Sequence, residues 1–189
     1  MNLWFRLLWL ILCTPFRPRL TLPHDVSRLH MRVMPNDLDT NLHMNNGRFF
    51  TIMDLGRMDL LFRGGATWRI IRGRHWAPIM GAATMRFRLA LDFWQAFTLE
   101  TRLLCWDEQW FYIEQRFVIA SGPKKGAVAA IGLLRGGFYD GKNKRILPVA
   151  EMMDTLHLAI HSPPEPDYVT TWKQSEEALK GLTNNDRNF

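Results

Sequence analysis

Between Asn36 and Asn46 the chain gathers two carboxylates (Asp37, Asp39), four carboxamides and one imidazole within eleven residues, and an apolar run starting at Phe49 follows at once. Residues of these types can do acid–base chemistry. A carboxylate can activate water or attack an acyl carbon, an imidazole can share a proton or orient water, and N–H donors can hold a developing oxyanion. The same types are also ordinary turn and cap residues. The elements around them must decide what this stretch is built to do.

Upstream, Leu29 to Met34 alternates as a strand with one covered face, and Pro35 ends it. Downstream, Phe49, Ile52, Met53, Gly56, Leu60 and Leu61 recur at three- and four-residue spacing, which predicts a helix from Asn46 to Phe62 stopped by Gly64-Gly65. Asn45 and Asn46 suit its cap, and Asn36 and Asp37 are read as turn residues. Asp54 and Arg57, three apart, are expected to pair, the alternative being that Asp54, one helical face along from the polar stretch, reaches the site. Gly56 in mid-helix is expected to mark the close approach of another backbone. Residues 66–76, with Arg69, Arg72, Arg74, His75 and Trp76, read as an irregular basic connector.

Four strand-like runs follow. The first sets Met85, Phe87, Leu89 and Leu91 on one side; the second, Phe97 to Trp106, sets Phe97, Leu99, Thr101 and Leu103 on one face. Trp110 to Ala120 places Phe111, Ile113, Phe117 and Ile119 opposite Tyr112, Glu114, Arg116 and Val118, and Ala127 to Tyr139 is apolar enough to be central. A short helix is expected over 148–158, facing inward through Met152, Met153 and Leu156, and another within a polar tail over 174–182. Strand, long helix, then an antiparallel run of strands is an α+β order in which the sheet covers a single helix. The expected organisation is an apolar segment over 1–22, one domain over 23–161 and a tail over 162–189.

The net charge of +6 is uneven: residues 1–161 carry 21 Lys and Arg against 13 Asp and Glu, residues 162–189 three against five. The scattered basic residues carry no zinc-finger, basic-zipper or RNA-binding signature, so nucleic acid is not the expected partner. Cys13 and Cys105 have no metal-ligand spacing and read as small apolar groups in a reducing compartment. Residues 3–13 are apolar apart from Arg6 and too short to span a bilayer, which takes about 20 residues. Two readings stay open for them: a helix packed on the domain or on a partner, and a helix in a membrane interface anchored by Trp4, Trp9 and nearby arginines.

The stretch Asp39-Thr40-Asn41-Leu42-His43-Met44-Asn45-Asn46, followed by Gly47-Arg48-Phe49, resembles the Asp-x-Asn-x-His-x-Asn-Asn-x-x-(Tyr/Phe) signature of acyl-ACP thioesterases. Acyl-CoA thioesterases of the 4-hydroxybenzoyl-CoA type share its Asp. The chain thus resembles the hotdog-fold acyl thioesterases over residues 28–140, most closely the small thioesterase-like proteins that carry an apolar N-terminal segment. The resemblance implies an antiparallel sheet wrapped around one long central helix. By position in the motif, Asp39 is the candidate base or nucleophile, and an extended loop would aim Asn41 and His43 the same way. His43 would orient water, share a proton with Asp39 or fix the loop; Asn41 would hold the acyl carbonyl or the water. Backbone N–H groups at Asn46, Gly47 and Arg48 form the expected oxyanion and substrate contact. His30, His75, His157 and His161 lack this context and read as structural.

The expected reaction is hydrolysis of an acyl-CoA or acyl-ACP thioester by carboxylate-assisted attack. No metal or redox cofactor is expected, coenzyme A or acyl carrier protein being part of the substrate. The resemblance also implies a homodimer or homotetramer with the site between subunits. A cytoplasmic protein is expected from its cysteines, peripheral at the inner face of a membrane if residues 3–13 bind lipid. Arg69, Arg72 and Arg74 are candidates for coenzyme A phosphates, with a solvated loop as the plainer reading. The competing function is a non-catalytic acyl-lipid or membrane-associated binding protein on the same scaffold. A hotdog dehydratase is disfavoured, since no His-x-Pro-Gly run occurs.

Overall fold

The computed structural model describes residues 2–65, 74–155 and 161–185. Its long helix, α2 (Asn46–Arg63), is where the spacing places it. Asn45 caps it, its side-chain oxygen accepting the Gly47 N–H at 2.8 Å, and Gly64 ends it. The sheet is antiparallel in the order β1 (Ser27–Arg32), β3 (Ala96–Trp106), β4 (Phe111–Ile119), β5 (Val128–Asp140), β2 (Trp76–Phe87), and β6 (Arg145–Leu147) pairs with the end of β5 beyond β4. This is the hotdog arrangement, a curled antiparallel sheet around one helix.

Phe49, Ile52 and Met53 of α2 are fully covered by Phe97 and Leu99 of β3, Phe117 and Ile119 of β4 and Leu134 of β5. Phe49 meets Phe117 edge-on with centroids 4.7 Å apart. Burial of side chains this size stabilises the fold by about 1.5–3 kcal/mol each. Gln115, on the same inner face of β4, locks the middle of the helix to the sheet. Its amide nitrogen donates to Met53 O (3.0 Å) and Thr101 Oγ1 (2.8 Å), and its oxygen accepts from Arg57 (3.2 Å).

Three expectations change. Gly56 does mark a close approach, but to side chains: a Cβ there would lie 2.3 Å from Thr101 Oγ1, 2.5 Å from Gln115 Nε2 and 2.8 Å from Leu99 Cδ2. Trp76 is not in a connector; it is buried and opens β2, with the Arg74 guanidinium 5.4 Å from its ring centroid. The run over 85–91 leaves the ladder after Phe87, because the amides of Arg88 and Leu89 both turn onto Ala129 O (2.9 and 3.0 Å). Leu91 is still buried. Arg69, Arg72, Leu156 and His157 lie outside the described residues.

After β6 come α3 (Val149–Thr155), burying Met152 and Met153, and α4 (Asp167–Asn185). α4 is longer than the expected helix, and Val169 within it is buried on the outer face of the sheet with Leu104, Cys105, Tyr112 and Leu133. Both cysteines are free thiols, Cys105 buried and Cys13 half-buried. At the other end, α1 (Asn2–Cys13) packs on α2, and Leu3, Arg6, Leu7 and Leu10 form its covered face, so the packed reading of this segment holds for one of its faces. Among the described residues no helix is long and apolar enough to cross a membrane.

Candidate active site

The polar stretch is two structures joined end to end. Pro35–Asp37 forms a single 3-10 turn, and Asp37 at its end is fully buried rather than a solvated turn residue. Its carboxylate accepts from Arg6 Nη2 on α1 (2.6 Å), from Arg48 Nε and Nη2 on α2 (3.1 and 2.9 Å) and from the Met34 amide (3.0 Å). Its carbonyl takes the Asn45 N–H (2.8 Å). One charge thus ties α1, the turn and the first turn of α2 together, and two guanidinium groups compensate its burial.

Residues 38–44 then form a tight hairpin, with Leu38 opposite Met44, Asp39 N donating to His43 O (2.8 Å), and Leu42 in the left-handed region at φ 59°. The segment is therefore not extended. Asp39 is half-buried in this turn, and its Oδ1 accepts the backbone N–H groups of Asn41 (2.8 Å) and His43 (3.3 Å). Those amides use one carboxylate oxygen; Oδ2 accepts no hydrogen bond from the described residues. The Asn41 side chain is exposed, and its contact with Asp39 is through its backbone. His43 turns its ring to Asp92, with Nε2 3.4 Å from Oδ1, and its backbone bridges Asp92 as well. The structure therefore brings Asp39, Asn41 and His43 together through bonds to the main chain, and among the described residues no hydrogen bond links one of these side chains to another.

The expected anion contact at the start of α2 narrows. The Gly47 amide is held by its cap Asn45, the Arg48 amide bonds Asn45 O (2.9 Å), and the Arg48 guanidinium is engaged by Asp37. Of the three residues, Asn46 retains an N–H without a partner among the described residues. The Asp54–Arg57 pair forms as expected from its spacing, and burial, only partly offset by Asp54, lowers the Arg57 pKa. His30 is structural, its Nδ1 2.9 Å from Thr98 Oγ1.

A cavity of about 380 Å³ lies elsewhere, between the C-terminal half of α2 and the ends of β2, β4 and β5. Met58, Leu61, Ile79, Met80, Phe138 and Met153 give it an apolar lining, and Asp54 and Arg57 supply its charge. Asp39 and His43 are not among its walls. Sequence reading reaches at most the α2 wall of this site, because the rest comes from β2, β3, β4, β5 and α3, far apart in the chain. Its signal was present only as the apolar positions of α2 that the sheet leaves uncovered. Among the described residues no group of three or more His, Cys, Asp or Glu is placed to hold a metal ion.

Residues 33–156 match the family model described as the thioesterase-like superfamily. Protein THEM6 of Xenopus laevis is 30% identical over 162 residues, 82% of this chain and 74% of that protein. The structure of a probable thioesterase from Escherichia coli, YbaW, superposes with a TM-score of 0.60 at 17% identity, covering 69% of this chain and 96% of that one. A Staphylococcus aureus protein solved in complex with CoA superposes with a TM-score of 0.62 at 12% identity, over 79% and 95% of the two chains.

Proposed function

The chain belongs to the thioesterase-like superfamily, and from that premise we propose that it hydrolyses an acyl thioester, with coenzyme A as the favoured carrier over acyl carrier protein. The observation that carries the reading is the Asp39 carboxylate, held by two backbone amides through one oxygen and open at the other, in the turn that leads into α2. In this mechanism Asp39 takes a proton from water as the C–O bond forms, or attacks the acyl carbon and is itself released by water. In the first route the C–S bond breaks and the thiol leaves with the proton that Asp39 took; in the second the thiolate leaves as the acyl–Asp39 anhydride forms, and the water that hydrolyses the anhydride supplies the proton that makes the thiol. The Asn46 N–H at the positive end of α2 is the available donor to the oxyanion. His43, steered by Asp92, is a positioning residue for the turn and the attacking water.

The apolar cavity suits the acyl group. Pro78, Ile79 and Met80 of β2 line it, and β2 pairs with β5 on one side and with no described strand on the other. That unpaired edge supports pairing of two chains along β2, a dimer with a partner's residues beside the cavity. The CoA bound to the Staphylococcus aureus relative in fold supports the choice of carrier. Release of free thiol from a panel of acyl-CoAs tests the proposal, with Asp39→Ala as the decisive variant. Loss of an acid–base group typically lowers kcat about 10²–10⁴-fold. Wild-type turnover by Asp39→Ala would remove the proposed role.

A further inference from the structure

From Leu3 on, α1 is apolar around its whole circumference except at Arg6, and the domain covers one face of it. The opposite face is exposed: Trp4 at 74%, Phe5 at 69% and Trp9 at 70%, with Leu8 and Leu12 between them and Phe16 beyond at 89%. Aromatic side chains have roughly 150–250 Å² each to bury. The four named here therefore leave roughly 450–750 Å² uncovered, at or above the roughly 300–600 Å² of the largest patch on a typical monomer. A helix of this kind needs a second cover.

The charge around it says which. Residues 2–32 hold five arginines and one acid, Asp25. Arg6 and Arg17 turn inward onto Asp37 (2.6 Å) and Asp59 (2.5 Å), while Arg19 and Arg32 stay exposed. Tryptophans on an apolar face with arginines at its border fit the boundary between acyl chains and anionic headgroups. At 12 residues α1 is about 18 Å long, against a hydrocarbon core of about 30 Å, so it can lie in the interface and cannot cross it. The dimer proposed above uses the β2 edge, whereas α1 reaches the opposite edge through Arg6 to Arg32 O (3.2 Å), and the segment just after it does so through Arg17 to Arg28 O (2.7 Å). A second copy paired on β2 therefore does not supply the cover.

We propose that the outer face of α1, with Phe16 and Arg19, is a docking surface for an anionic bilayer interface. Because Arg6 on the inner face shares Asp37 with Arg48, the docked helix holds the Asp39 turn one ion pair away from the lipid-facing element. The fit is to acyl substrates that partition into that interface.

The test uses the full chain and vesicles of phosphatidylcholine with and without phosphatidylglycerol. Wild-type protein is expected to sediment with the mixed vesicles, less so as salt rises, and its tryptophan emission to shift to the blue. Trp4→Ser combined with Trp9→Ser is expected to weaken vesicle binding at least about 10-fold, with melting temperature and thiol release from a short, soluble acyl-CoA unchanged. Three results would overturn the proposal: no binding of wild type to either vesicle, equal binding by the double variant, or a change of solution mass in that variant without lipid, which would make a second copy the cover. None of these bears on Asp39, so the hydrolase reading stands or falls separately.

Discussion

Replacing Gly56 with Ala sets two effects of opposite sign against each other. By helix propensity alone, Ala in mid-helix is favoured over Gly by about 1 kcal/mol. The new Cβ, however, would sit 2.3 Å from Thr101 Oγ1, which is bonded directly to its own Cβ, and 2.5 Å from Gln115 Nε2, an end atom pinned by its hydrogen bonds. Both residues are fully buried, and they are bonded to each other at 2.8 Å. If Gln115 swings away it gives up that bond and the one to Met53 O, leaving buried polar groups unpaired at about 1–3 kcal/mol each. If instead α2 lifts by about 1 Å, it opens the core under Phe49, Ile52 and Met53, and overpacking strain of this kind costs about 1–3 kcal/mol. The protein takes the cheaper relaxation, so after the propensity gain is subtracted the net expectation is destabilisation by up to about 2 kcal/mol, a fall in Tm of up to roughly 8 °C for a chain of this size. Urea unfolding followed by far-ultraviolet circular dichroism measures it. Gly181→Ala in α4 is the control, since its Cβ would meet nothing within 4 Å and stability should hold or rise. A Gly56→Ala midpoint at or above wild type would refute the packing account of the α2–sheet contact.

Asp37→Asn leaves the Arg6 and Arg48 guanidinium groups facing a neutral amide in a largely buried site, and should cost about 2–4 kcal/mol, near the lower end of broken buried pairs; a thermal melt within a degree of wild type would contradict the role of Asp37 as the hub. Burial pushes the Cys105 thiol up to about 11, so native protein at pH 8 should leave it unreacted with a thiol reagent until denaturant is added, a count that also sets the background of the thiol-release assay. Burial acts to raise the Asp107 pKa, but hydrogen bonds from the Tyr112 hydroxyl and the Gln109 and Trp110 amides, with Lys173 of α4 nearby, outweigh it and hold the carboxyl below its ordinary 3.8. A depressed carboxylate stabilises the fold above its unfolded pKa and loses that contribution as pH falls through the folded value. The Lys173 contact holding α4 should therefore weaken only below pH 3.8, which amide hydrogen exchange in 167–173 against pH would show.

The local pattern of the chain determined its elements. The three- and four-residue spacing from Phe49, the cap at Asn45 and the stop at Gly64 define α2, because backbone and near-neighbour preferences act within a few residues. Alternation gave the inner faces of β3 and β4 for the same reason. The motif marked a stretch dense in polar groups but not how it folds. That Asp37 is a buried hub depends on Arg6 and Arg48, 31 and 11 residues away, which nothing local brings together. That Asp39, Asn41 and His43 sit on a tight turn, with the imidazole drawn off to Asp92, depends on a residue beyond β2. Gln115 and Gly56 make sense only as opposite sides of one contact. Charge pairing, cavity walls and steric fit are properties of distance in space, so the tertiary structure alone decided which of the clustered polar groups hold the fold and which remain open to a substrate.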